Sequence, residues 1–141
     1  MKNNFFPYDL EVQPFWGENW EYRKLVKPFV YKMSDMSRSI TVPAGFITDF
    51  ASVPRPFWAV LPPWGNYGPA AVIHDFLYSV ERQKYVPDPD EPDKTVKITR
   101  KIADRIFLRA MKDCGVNVFR RRIIYSAVRA FGWTGYEEKG R

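Results

Sequence analysis

β-Branched and aromatic residues dominate the early chain, whereas helical spacing of apolar residues governs the later part. Residues 1–21 carry turn formers and aromatics (Pro7, Pro14, Phe15, Trp16, Gly17, Trp20) without a clear period, and read as an irregular arm or short strand. Tyr22 to Met33 predicts a strand, Ser34-Asp35-Met36-Ser37 a turn, and Ser39-Ile40-Thr41-Val42 a returning strand. Pro43-Ala44-Gly45 then breaks the ladder. Thr48 to Pro54 follows as a loop rich in side-chain oxygens.

Prolines bracket a short helical segment, Phe57 to Leu61, and Pro62 to Pro69 forms a rigid loop. Pro69 suits the first turn of a helix, predicted to run to about Arg82. Pro87 to Asp93 is acidic and proline-rich. It lacks the glycine and the spaced glutamate of an EF-hand, so it reads as a linker. A long helix is predicted from Thr95 to Asp113, with Ile98, Ile102, Ile106, Phe107, Ala110 and Met111 as its apolar stripe. Cys114-Gly115 ends it, Val116 to Phe131 forms a last helix, and residues 133–141 make a polar tail. The expected fold is α+β: an N-terminal β-hairpin, then a mainly helical core with two packed antiparallel helices. The 141 residues suit a single domain.

Composition narrows the chemistry. The chain is 45% hydrophobic and 17% aromatic, with five Trp, eight Tyr and eleven Phe, enough to serve an interface as well as a core. No apolar run is long enough to span a bilayer, and the N-terminus lacks the h-region of a signal peptide. A soluble, unprocessed protein is expected. The net charge of +6 comes mostly from residues beyond 95, including the run Arg120-Arg121-Arg122. Such a surface attracts nucleic acid, an anionic membrane or an acidic protein, or is simply a solvated helix face.

His74 is the single histidine, so any imidazole chemistry runs through one ring. On a helix it shares a face with Tyr78 at i+4, and Asp75 lies about 100° further round. The ring is either a core histidine satisfied by hydrogen bonding or a functional group. Counting removes several schemes. HD-type phosphohydrolases and zincins need more histidines, and one cysteine excludes a disulfide framework or a multi-thiolate zinc site. A serine triad of His74 with Ser52 lacks a nucleophile-elbow pattern. A Cys114–His74 dyad would place the thiol at a helix C-terminus, where the dipole disfavours thiolate. A histidine general base on water survives, with a hard cation held by Asp75, Asp49 and nearby carbonyls. Asp104 is the candidate to orient the ring. Its alternative is a surface partner of Lys101 or Arg105.

The segment Ala70-Ala71-Val72-Ile73-His74-Asp75-Phe76-Leu77-Tyr78 resembles the active-site helix of secreted phospholipases A2, especially the bacterial and fungal branch. Ala103 to Cys114 is similar to that family's second catalytic helix, and Thr48-Asp49-Phe50-Ala51-Ser52 to its calcium loop. The resemblance implies His74 as general base, Asp104 as its orienter, and calcium on Asp49, Asp75 and the Phe50 carbonyl. It also implies an esterase acting at anionic lipid. Ala51 and Ala71 stand where that family places cysteines. A second resemblance covers more of the chain. Gly45 to Pro54, the His74-Asp75 helix and the Ala103-Asp104 helix together resemble an uncharacterised family of small phage and prophage proteins. It implies a phage or prophage origin, with a role in the virion, in lysis or against host defences, residence in the host cytoplasm or the virion, and another phage structural protein as partner. Three readings follow: a calcium-assisted phospholipase A2-type esterase, a non-catalytic virion or interaction protein, and, least favoured, a nucleic-acid binder.

Overall fold

The computed structural model describes residues 5–14, 23–33, 39–48, 68–79 and 85–131. Among these, the chain order is β1 (Val12–Pro14), β2 (Arg23–Leu25), β3 (Phe29–Tyr31), β4 (Ile40–Val42), β5 (Ile47–Thr48), α1 (Gly68–Ser79), β6 (Tyr85–Pro87), β7 (Thr95–Lys97), α2 (Arg100–Asp113) and α3 (Val118–Phe131). Small antiparallel sheets thus precede and interrupt a helical core, an α+β arrangement.

β1, β2 and β5 form one sheet in that spatial order, with Val12 opposite Leu25 and Lys24 opposite Ile47. β3 pairs with β4, Phe29 opposite Val42 and Tyr31 opposite Ile40. The Tyr22–Met33 run is therefore two strands in different sheets and not one. Pro28 has no N–H to give a ladder, and the chain leaves the first sheet just before it. β4 passes to β5 through a turn in which Phe46 N–H donates to the Pro43 carbonyl (3.3 Å). Gly45 sits there at φ +89°, which glycine adopts with little strain. Within residues 5–14 the short strand is β1, which joins a sheet, and Phe6 ahead of it is fully buried, stacked on Tyr31 at 4.7 Å.

The predicted linker is a hairpin connection. Val86 pairs with Val96, and the Asp88 carboxylate accepts from the backbone of Asp90 (2.8 Å) and Glu91 (3.3 Å) between the strands. Thr95 to Lys97 consequently belongs to β7, and the long helix begins later than its apolar spacing predicted. Thr99 caps it, accepting from Ile102 N–H at 3.2 Å. At the other end Gly115, at φ +84°, donates to Lys112 O (3.0 Å) and Val116 donates to Met111 O (3.0 Å). That pattern is a Schellman stop, with Val116 and Met111 both buried beneath it. Asn117 then accepts from Arg120 N–H (2.8 Å) and starts α3.

α1 packs on α2, and α2 on α3; β4 and β5 contact α1. One apolar cluster runs from Phe6, Phe29 and Val42 through Ile73 and Leu77 to Ile106, Phe107 and Ile124. α1 is described as far as Ser79, and its expected end at Arg82 lies outside the described residues. So do the turn Ser34–Ser37, the segment Phe57–Leu61 and the tail 133–141. No helix among the described residues is long and apolar enough to cross a membrane.

Candidate functional site

α1 is buried on nearly every side, from Ala70 through Asp75 and again at Leu77 and Tyr78. A polar group on the buried faces of such a helix must find protein partners, because those faces do not meet bulk water. His74 and Tyr78 find the same one. His74 Nε2 lies 2.8 Å from Oδ1 of Asp104 on α2, and the Tyr78 hydroxyl donates to that oxygen too. The i, i+4 spacing on α1 is what aims both side chains at one carboxylate oxygen. The imidazole also stacks on Phe107, one turn beyond Asp104, with ring centroids 4.4 Å apart and planes inclined by 24°.

The second carboxylate oxygen is taken from α3. Arg129 Nη1 donates to Asp104 Oδ2 at 2.7 Å, and Arg100 Nε stands 3.9 Å from it. Asp104 is 0% exposed and His74 2%. Asp104 is therefore no surface partner of Lys101 or Arg105, and Arg105 instead pairs with Asp90. Burial alone would raise the Asp104 carboxyl. The hydrogen bond and attraction of His74, with the hydrogen bonds of Tyr78 and Arg129, outweigh it and hold the group below the usual carboxylate range. The Tyr78 phenol moves up, through burial first and its bond to Asp104 second. Arg129 supplies a positive charge at the second carboxylate oxygen.

Asp75 is also buried, at 2% exposure, beside His74 on α1. Asp49, Phe50 and Ser52 lie outside the described residues. The last described residue before them, Thr48, is fully buried on β5, which contacts α1. Among the described residues no group of three or more His, Cys, Asp or Glu is placed to hold a metal ion. Cys114 is buried and its thiol is pushed up to about 12, chiefly by burial, which leaves it protonated and a poor nucleophile for any dyad.

Two participants escaped the sequence reading. Arg100 had a local signal, four residues before Asp104 on one helix face. Arg129 had only its place next to buried Val128, and nothing local links it to Asp104.

A family described as a protein of unknown function (DUF1353) matches residues 23–128. No curated protein and no solved structure matches the chain. The matched span takes in β2 through α2, and so His74, Asp75, Tyr78 and Asp104, and stops one residue before Arg129. Covering most of the sequence and the centre of the polar cluster, that match makes this chain a member of the DUF1353 family.

Proposed function

We propose that the protein is a non-catalytic binding protein of a phage, in which the His74–Asp104 group fastens three helices together. The observation that carries this reading is burial. His74 is 2% exposed, Asp104 0%, and both carboxylate oxygens are taken by protein donors. A general base must reach water and an acyl carbon, and hydrogen-bonded enclosure favours a fastening role over that task. Phage origin rests on the resemblance of the Gly45–Pro54, His74-Asp75 and Ala103-Asp104 segments. Another phage structural protein is the proposed partner. Phe119 at 71% and Tyr85 at 68% exposure offer apolar contact area to it.

The 2.8 Å contact of His74 Nε2 with Asp104 Oδ1 favours a second reading, a hydrolase of phospholipase A2 type. There Asp104 orients the ring and His74 takes a proton from water at an ester of anionic lipid. Calcium on Asp49, Asp75 and the Phe50 carbonyl, and a phospholipase A2-like arrangement of α1 and α2, belong to that reading alone.

Wild-type protein and His74→Gln, assayed on mixed phospholipid vesicles with and without calcium, separate the two. Under the first reading neither hydrolyses lipid, and the variant loses about 1–3 kcal/mol of stability because a buried partner is left unsatisfied. Fatty-acid release by the wild type, cut roughly 10²–10⁴-fold in the variant, would establish the hydrolase instead.

A further inference from the structure

The β6–β7 loop, α2 and the start of α3 border a half-open cavity of about 280 Å³, lined by Arg105, Arg109, Lys112, Arg121 and Arg122. Arg105, Arg109 and Lys112 recur at i, i+4 and i+7, so one face of α2 carries all three. Two carboxylates, Asp90 and Asp113, also line it, leaving three positive charges in excess.

How the cations are held matters more than their number. Arg109 donates to the Pro89 carbonyl at 2.9 Å and to the Met33 carbonyl at 3.5 Å, and Arg121 donates to the Val116 carbonyl at 3.1 Å. Carbonyl anchors orient a guanidinium without cancelling its charge. Lys112 and Arg122 make no side-chain hydrogen bond or ion pair among the described residues. Of the two carboxylates, Asp113 accepts from the Tyr31 hydroxyl at 2.7 Å, and Asp90, on the exposed loop, pairs with Arg105. A concave site with preset guanidinium forks and surplus charge suits a compact anion of more than one charge. Its volume suits a phosphate on a small organic body.

We propose that this cavity binds a phosphate-bearing small molecule, with Asp90 holding the Arg105 position until a phosphate oxygen displaces it. The cavity uses none of the residues of the His74–Asp104 cluster, so the proposal holds whether that cluster fastens or catalyses.

Calorimetric titration of the full chain with sodium pyrophosphate tests it, on wild type, Lys112→Gln/Arg122→Gln and Asp90→Asn. One site per chain is expected. Binding should weaken about tenfold or more in the double variant, through loss of charge-assisted hydrogen bonds, and tighten in Asp90→Asn. Circular dichroism and melting should match across the proteins, because the changed side chains are exposed or on a loop. No pyrophosphate binding, or binding that both variants leave unchanged, would overturn the proposal. So would attachment to phosphatidylglycerol vesicles or a DNA duplex that pyrophosphate fails to displace, which would make the charge a docking surface.

Discussion

Arg129 and His74 reach opposite oxygens of one carboxylate: Arg129 Nη1 is 2.7 Å from Oδ2 of Asp104, and His74 Nε2 is 2.8 Å from Oδ1. One buried anion thereby joins a cation from α3 to an imidazole and a phenol from α1. Its removal should cost more than the loss of either partner. Asp104→Ala strands His74, Tyr78 and Arg129 together and is expected to destabilise by about 3–5 kcal/mol. Arg129→Ala should cost less, because the arginine side chain is 33% exposed and water replaces part of its role. Urea unfolding of both variants checks the ranking. No loss in Arg129→Ala would show that Asp104 is held by α1 alone, and equal losses would overturn the ranking.

Acid should release the same pairing. Asp104 has its carboxyl lowered in the folded chain, so its contribution is fully present above the unfolded value near ~3.9 and disappears as pH falls through the lower folded value. Unfolding free energy measured in urea from pH 7 downwards should therefore fall below about pH 4 in wild type. The slope should be shallower in Asp104→Asn. Parallel profiles would remove Asp104 from the acid response.

Asp113 is expected to behave in the opposite sense. Burial raises its carboxyl, against the Tyr31 hydrogen bond and the attraction of Arg109 and Lys112. A raised folded value adds stability only below the unfolded value near ~3.9, and this is lost as pH rises through the folded value. Asp113→Asn should thus recover stability near neutral pH relative to its effect in acid. Tyr31→Phe, which deletes the 2.7 Å hydrogen bond, should cost about 1 kcal/mol in the same measurement. A neutral Tyr31→Phe variant would mean that water satisfies Asp113 equally well.

The helix stop can be tested without touching the core. A Cβ at Gly115 would meet nothing within 4 Å, so Gly115→Ala isolates the strain of φ +84°. A loss of roughly 1–2 kcal/mol is expected, with Gly115→Asn milder. An unchanged midpoint for Gly115→Ala would argue that the Schellman hydrogen bonds let the backbone relax.

What could be read from the sequence depended on range. The His74–Tyr78 face, the Gly45 turn, the Gly115 stop and the α3 span each follow from residues within a few positions of one another. The inward turn of Asp104 was legible because Phe107 and Leu108 lie one helical turn away. The start of α2 was misplaced because Thr95 and Val96 fit a helical stripe as well as a strand. Only the pairing with Tyr85–Pro87 decides for the strand. The β-branched surroundings of Pro28 suggest one strand from Tyr22 to Met33, whereas its missing N–H divides the described residues into β2 and β3. Arg129 and the basic cavity arise from packing between helices distant in sequence, which no local pattern records.

The position of Arg129 also sets an order of events. It follows Asp104 by 25 residues, and α1, α2 and their turns are complete before it is added to the chain. Docking α1 on α2 without it would enclose a carboxylate whose second oxygen lacks its arginine donor. The growing chain is therefore expected to keep these two helices apart, or Asp104 hydrated, until the last turn of α3 arrives and lets the interior close in one step.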